Sequence, residues 1–459
     1  MSKVFKLLFS LCLVWLVSTS VSQAHGPKDR HGHEDYEGPT NFNALPKGKF
    51  PLFDEKTKSG GSYSDTAAPQ RWLISAAKDW MARLPDETEL KDISIPGTHD
   101  SGARRTNCGS TIFHSPFFQN QTWSIDQQLN AGIRYLDIRV RRTKRSFAIH
   151  HAECYQRLMF GNVMTKVEKF LKDHPGETIL MSIQEEHDAE PGSKAFREIW
   201  EGYMNKYGYL FLTDIKSLPT LGEARGKIIV LRGGNSFPGE GVRSLRKHDG
   251  KTGYGLWIKN KKIDRQNHWE VESPFTTKKR LINDYIDRAA KQEKFILNHL
   301  SGTDIPWSSP STVAKATNAF AYKNIRCYGG KRTLGVLIMD YPGEHLIYQI
   351  LKSNFSSSKS VSYTFTVKTA DKYLAGTDSD IYFILYGKDQ YGRKKTLSRF
   401  EVTRKISGDA LERDDKEVFT LCNQPRLHKV DELHIHSAGS DDWQVDYVDV
   451  KFDGVTKRV

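Results

Sequence analysis

Ile93-Ser94-Ile95-Pro96-Gly97-Thr98-His99-Asp100-Ser101-Gly102 is the stretch on which the reading of the fold turns. Apolar and polar residues alternate through its first half, the pattern of a short strand. Pro96-Gly97 is expected to stop that strand and display His99 and Asp100 just beyond its end. Barrels of alternating strands and helices keep their chemistry at such ends. Two later stretches repeat the arrangement: Tyr135-Leu136-Asp137-Ile138-Arg139 and Ala148-Ile149-His150-His151 are short apolar runs that finish in charged or titratable groups. Three successive strand ends then bring His, Asp, Arg and His to one rim, a set of groups suited to cleaving a phosphodiester.

Working outward, Trp72, Leu73, Ala76, Ala77, Trp80, Met81 and Leu84 recur at helical spacing, which predicts an amphipathic helix closed by Pro85. Beyond Ile93, strands are expected at 133–139, 147–150, 178–184, 227–231, 255–258, 295–300 and 336–340, with helical patterns between several of them. About eight short strands separated by helices predict a parallel sheet closed into a barrel. Near Ser353 the composition changes. Asn354-Phe355-Ser356-Ser357-Ser358-Lys359-Ser360 reads as a linker over 354–361. The strand patterns after it have no helices between them and predict a β-sandwich of about 100 residues over 362–459. The fold class is therefore α/β, an irregular TIM-type barrel over 71–353, followed by an all-β sandwich.

The first 24 residues combine Lys3 and Lys6, an apolar run and a small-residue end at Ala24, the pattern of a secretory signal. The protein is expected to be secreted, and a retained anchor helix is the alternative. Residues 25–70 are polar and read as a flexible leader. The formal charge of +13, lowered by two without Lys3 and Lys6, favours anionic partners. No zinc-finger, helix-turn-helix or RNA-binding pattern accompanies that charge, so an anionic membrane is expected and nucleic acid is not. Cys12 lies in the signal, which leaves Cys108, Cys154, Cys327 and Cys422. Their pairing stays open: Cys108 with Cys154 is favoured by their places after two site strands, and free buried thiols are the alternative. Asn120-Gln121-Thr122 and Asn354-Phe355-Ser356 match the glycan acceptor pattern.

At Leu84-Pro85-Asp86, Ile93 to Gly102, Leu129 to Arg139, His150-His151 and Leu221-Gly222-Glu223-Ala224-Arg225-Gly226-Lys227-Ile228, the chain resembles the bacterial phosphatidylinositol-specific phospholipase C X-domain family. Attack by a ring hydroxyl on the neighbouring phosphorus requires a base for that proton, an acid for the glycerol oxygen, and positive charge on the phosphoryl oxygens. The nucleophile belongs to the substrate, so the protein need not supply one. By resemblance, His99 is the general base and His151 the general acid, with His150 as the alternative. Arg139 holds the phosphate, Asp340 orients the base, Asp100 assists the acid and Asp137 stands beside the arginine. The resemblance implies release of diacylglycerol and a cyclic inositol phosphate, from phosphatidylinositol or a glycosylated anchor. Arg139 stands where metal-dependent relatives carry an acidic residue, so catalysis without a metal or other cofactor is expected, and Glu185 and Glu186 are read as a solvated pair.

The same resemblance places Gln184, Asn267 and Trp269 at the substrate head group, where the bacterial pattern has Lys, Asp and Tyr. Gly233 stands where that pattern has an arginine, and Arg232 is the candidate replacement. Trp307, Phe113, Phe117 and Phe118 are read as aromatics for a membrane rim. Tyr363 to Lys368, Leu374 to Tyr382 and Asp442 to Val445 resemble a PLAT (lipoxygenase homology) domain. Asp378, Asp380, Asp441 and Asp442 are possible calcium ligands there, and turn carboxylates without metal are the preferred reading. Two alternatives to the phospholipase stay open. One is a metal-dependent glycerophosphodiesterase or sphingomyelinase on the same barrel. The other is an X-domain used only to bind lipid or glycan.

Overall fold

The computed structural model describes residues 61–459 apart from 65, 108–114, 213–217, 234–241, 249–252, 259–260, 327–330, 356–359, 398, 404–410, 440–441 and 453–454. Its amino-terminal sheet contains β1 (Ile95–Thr98), β2 (Tyr135–Thr143), β3 (Ser146–His151), β4 (Cys154–Met159), β5 (Ile179–Glu185), β6 (Ile228–Gly233), β7 (Val242–His248), β8 (Gly253–Ile258), β9 (Lys261–Gln266), β10 (Phe295–His299) and β11 (Val336–Met339). The strand order is β1-β11-β10-β9-β8-β7-β6-β5-β2-β3-β4, and β1 also pairs with β2. That second pairing closes the sheet into a barrel. The pairs β1–β2, β1–β11, β10–β11, β2–β5 and β5–β6 are parallel as expected, whereas β8 runs antiparallel to both β7 and β9. This excursion makes the TIM-type barrel irregular.

Pro96-Gly97 does not stop the first strand, because β1 runs straight through it. The amides of Ile95 and His99 go to Gly335 and Met339 on the β11 side. By alternation the missing N–H of Pro96 faces β2, where pairing begins only at Gly97, so no ladder bond is lost. A side chain at 97 would place its Cβ 2.8 Å from Tyr135 Cβ. Glycine is what lets β1 approach β2.

The first helix is shorter than its periodicity predicts, spanning Arg71–Ala77 and followed by a 3₁₀ turn at Met81–Arg83. The buried carboxylate of Glu177 accepts from the amides of Met81 and Ala82 at 3.3 and 2.9 Å, giving them partners outside a helix. Glu177 also pairs with the buried Arg134 at 2.8 Å. Trp80, Met81 and Leu84 nevertheless enter the barrel core, so the apolar spacing marks burial here without a continuous helix.

Order also starts before Trp72. Ser64 N donates to Tyr341 O at 3.2 Å and Tyr63 bridges to Pro342. Gly343 makes the room, since a Cβ there would sit 2.1 Å from the Ser62 carbonyl carbon. At the other end the barrel continues into the expected linker. Asn354 is buried, donating to Ser94 O at 2.8 Å and accepting from Ser94 N at 2.7 Å, and Phe355 belongs to the same core.

The carboxy-terminal part is all β. One sheet orders β16 (Lys416–Pro425), β12 (Ser360–Thr369), β18 (Val445–Phe452) and β19 (Val455–Arg458). In the other, β13 (Ile381–Lys388) pairs with β14 (Lys394–Thr396), β15 (Phe400–Glu401) and β17 (Lys429–Ser437). Burial alternates along β13, the period of a strand with one face in a core. Phe365, Phe383 and Phe419 fill that core, with Phe365 and Phe419 stacked at 5.1 Å. Cys154 in the barrel and Cys422 in the sandwich are each disulfide-bonded, which excludes free thiols at these two positions. Cys108, Cys327, Phe113, Asp441 and residues 1–60 lie outside the described residues.

Candidate active site

Two neighbouring strand ends build the first half of the site. Both turn sharply: Asp100 after β1 and Tyr341 after β11 have φ of +46° and +44°, a region non-glycine residues enter rarely and at a cost. His99 and Asp340 emerge side by side from this pair, with His99 Nδ1 2.9 Å from Asp340 Oδ1. Arg139 Nη2 lies 2.8 Å from His99 Nε2. A guanidinium can only donate, so Nε2 presents its lone pair and Nδ1 carries the hydrogen shared with Asp340. His99 thereby turns its Nε2 lone pair to the cation and its Nδ1 to the carboxylate.

Two residues missed in the sequence hold this arrangement. Asn120 Nδ2 donates to Asp340 Oδ1 at 3.0 Å, and Gln121 Nε2 ties the His99 and Met339 carbonyls at 2.7 and 3.1 Å. Both are buried. Asn120 and Asn354 each match a glycan acceptor pattern, but their amides are enclosed and hydrogen-bonded inside the fold.

Arg139 stands on β2 at the centre of the site. Its Nη1 contacts Glu186 at 3.1 Å, its Nη2 contacts Asp137 at 3.2 Å, and its Nε lies 3.7 Å from Asp100. Burial opposes its charge, but the Asp137, Glu186 and Asp100 carboxylates outweigh that and hold its pKa well above the ordinary range. In turn the guanidinium overcomes burial at Asp137 and Glu186 and keeps both below the usual carboxylate values. The reading of Glu185 and Glu186 as a solvated pair is therefore corrected. Glu185 binds Arg142 at 2.5 Å and Glu186 binds Arg139. A signal for Glu186 existed in the strand register, because Arg139 pairs with Gln184 in the parallel β2–β5 ladder and period-two alternation returns Glu186 to the same face.

His151 arrives by a route the strand pattern did not reveal. β3 runs antiparallel to β2 after the turn at Lys144-Arg145, so it is a returning hairpin arm and not another parallel barrel strand. Its last residue, His151, comes back beside Arg139's end of the site. His151 Nε2 lies 3.7 Å from Asp100 Oδ2, and its ring meets Phe118 edge-on at 6.2 Å. His150 points elsewhere, against Tyr155 and His187 at ring distances of 5.6 and 6.2 Å, with burial pushing its pKa down to about 4.

Burial pushes the Asp100 carboxyl well above its ordinary value and His151 below its own. Neither Asp100 oxygen makes a hydrogen bond, which leaves this carboxyl open to a group brought in by substrate. Asp100, His151 and Glu186 offer ligand atoms within 4.8 Å of one another, a spacing that could hold a metal ion. The cation that two of these carboxylates contact is Arg139.

Other expected positions fall around this centre. Gln184 Nε2 donates to Glu186 Oε2 at 3.1 Å. Asn267 and Trp269 follow β9, with Asn267 Oδ1 buried and unpartnered and Trp269 49% exposed. The side chain of Arg232 lies outside the described residues. Trp307 is 82% exposed, but Phe118 is buried beside His151 and is no surface aromatic. His299, at the end of β10, was not singled out. Its ring meets His99 at 5.7 Å and its Nε2 accepts from the buried Arg265 at 3.1 Å.

Comparison with known proteins agrees with this geometry. The family model for the phosphatidylinositol-specific phospholipase C X domain matches residues 93–233, and that for the PLAT/LH2 domain matches residues 363–459. A protein of Listeria monocytogenes named 1-phosphatidylinositol phosphodiesterase is 31% identical over 283 residues, covering 60% of this chain and 85% of that protein. One of the same name from Staphylococcus aureus is 28% identical, covering 61% and 96%. The solved phosphatidylinositol-specific phospholipase C from L. monocytogenes superposes with a TM-score of 0.51 at 30% identity, covering 60% of this chain and 98% of that one. The barrel, the strand-end residues and these matches lead to one assignment: the chain belongs to the phosphatidylinositol-specific phospholipase C family.

Proposed function

We propose that this protein is a secreted phosphatidylinositol-specific phospholipase C that cleaves its lipid without a metal ion. The observation that carries the reading is the contact of Arg139 with the basic nitrogen of His99 on one side and with three carboxylates on the others. An anionic phosphodiester entering this site competes for the guanidinium, which turns its Nη2 from His99 to a phosphoryl oxygen. His99 Nε2 is then free to take the proton of the inositol 2-hydroxyl. The ring oxygen bonds to phosphorus while the bond from phosphorus to the glycerol oxygen breaks. The leaving oxygen receives its proton from His151, with the Asp100 carboxyl beside it.

Charge accumulating on the phosphoryl oxygens is met by a cation already in place, which is where most of the acceleration is expected to come from. Asp340 stabilises the imidazolium formed on His99. In the second step water attacks the cyclic phosphate and the two proton carriers exchange roles. The products are diacylglycerol and a cyclic inositol phosphate that is slowly opened. The exposed Trp307, with Ile305 beside it at 40% exposure, suits contact with the lipid surface that supplies the substrate. Export is supported by the leader composition and by oxidised Cys154 and Cys422.

A metal-dependent reading has the Asp100, His151 and Glu186 cluster in its favour, and one assay separates the two. Purified protein is expected to release diacylglycerol from phosphatidylinositol vesicles at the same rate with and without EDTA. Activity that is lost in EDTA and restored by a divalent cation would replace this reading with the metal-dependent one.

A further inference from the structure

Lys278 is buried in the first turn of the helix Thr276–Ala290. A cation is doubly out of place there, desolvated and at the positive end of a helix dipole. Both acceptors of its ammonium are uncharged: His268 O at 2.8 Å and Gln266 Oε1 at 3.2 Å. Gln266 Oε1 also accepts from His268 N at 2.7 Å, and its Nε2 donates to Asn298 Oδ1 at 3.0 Å and His299 O at 2.7 Å. The lysine thus locks a turn from inside, and the turn is fastened to the end of β10. Between its two contacts lies Asn267, whose buried Oδ1 has no partner, and directly after them comes the half-exposed Trp269. A buried acceptor left open calls for a donor brought by a ligand.

We propose that Lys278 is a positioning residue for head-group binding. Its ammonium clamps the Gln266–His268 turn in the form that offers the Asn267 amide and the Trp269 ring to the inositol hydroxyls. The inference rests on the phospholipase reading and adds a determinant outside the catalytic groups. Burial pushes the lysine down to about 7. The charged and titratable groups around it are the Asp340 carboxylate, which favours its charge, Arg265, which opposes it, and His268 and His299. As pH rises through about 7 the ammonium loses its proton and the clamp slackens.

The sign of the stability effect is opposite to that of the binding effect. The folded-state value lies below the ordinary 10.5, so the folded protein binds fewer protons than the unfolded chain between the two values. Burying the ammonium therefore costs stability most fully below about pH 7. Removing it relieves that cost.

The test uses the full chain with Lys278→Met and Lys278→Gln, assayed on soluble inositol 1,2-cyclic phosphate. A KM raised about tenfold, the scale of one lost charge-assisted hydrogen bond, is expected with kcat within about twofold and a Tm at neutral pH no lower than wild type. The wild-type KM is expected to rise from about pH 6 to about pH 8.5, and that of Lys278→Met to stay flat. An unchanged KM in a folded variant overturns the proposal, as do parallel losses of kcat and Tm, which mark a merely structural lysine. If neither variant folds, a wild-type KM independent of pH overturns it. Asn267→Ala separates the layers. If it raises KM and Lys278→Met does not, this inference alone fails, whereas a wild type inert toward both the cyclic phosphate and phosphatidylinositol brings down the phospholipase reading itself.

Discussion

His99→Leu is expected to lower turnover of phosphatidylinositol by about a thousandfold or more while sparing binding to phosphatidylinositol vesicles. General-base catalysis alone is worth roughly 10² to 10⁴, and His99 also links Arg139 to Asp340, with contacts of 2.8 and 2.9 Å. Leucine keeps much of the volume, and Asp340 retains its bond from Asn120 at 3.0 Å, so the strand ends should hold their shape. Turnover within about tenfold of wild type would place the base elsewhere. If wild type and variant both bind vesicles and neither turns over, the chain is a binding module built on a catalytic fold.

Arg139→Met carries the second large effect, and it acts on rate and stability together. Loss of the phosphate-facing cation should cost about 10² to 10³ in kcat. It also leaves the buried Asp137 carboxylate, and the nearly buried Glu186, without their shared counter-charge. Stripping one partner from such a cluster costs about 3 kcal/mol or more at neutral pH. The sign with pH follows from the depressed values of Asp137 and Glu186. Their contribution is complete above the unfolded carboxylate range of about 4 and is lost as pH falls through their folded values. Denaturant unfolding should therefore show the gap between wild type and variant narrowing on acidification below about pH 4. A gap that widens there would mean that Arg139 does not hold these groups ionised.

Strand ends were the legible part of this site because period and polarity are local. His99, His151 and Asp340 stand at strand ends as expected, Arg139 lies within β2, which runs on to Thr143, and the structure brings the four to one site. What stayed hidden depends on pairing. Glu186 looks like half of a solvated pair until β5 is placed beside β2 with Arg139 opposite Gln184. Asn120 and Gln121 sit in a loop with no periodicity at all, and only tertiary contact turns a glycan-like motif into the support of Asp340. Pro96-Gly97 misled for a related reason. Those residues break most strands, but here the proline's missing N–H faces β2 before the β1–β2 ladder begins, its carbonyl still accepts from Arg134 N at 2.9 Å, and the glycine is required by Tyr135. Phe118 shows the limit of reading aromatics as a membrane rim, since enclosure beside His151 cannot be seen in composition.

The account rests on one chemical event, closure of the inositol 2-hydroxyl onto phosphorus between His99, Arg139 and His151. Phosphorus NMR of the products formed from phosphatidylinositol in EDTA tests it most directly. The account predicts that a five-membered cyclic phosphate resonance appears first and gives way slowly to an inositol monophosphate. A monophosphate formed from the outset with no cyclic species, or phosphorus released only when metal is supplied, would contradict it.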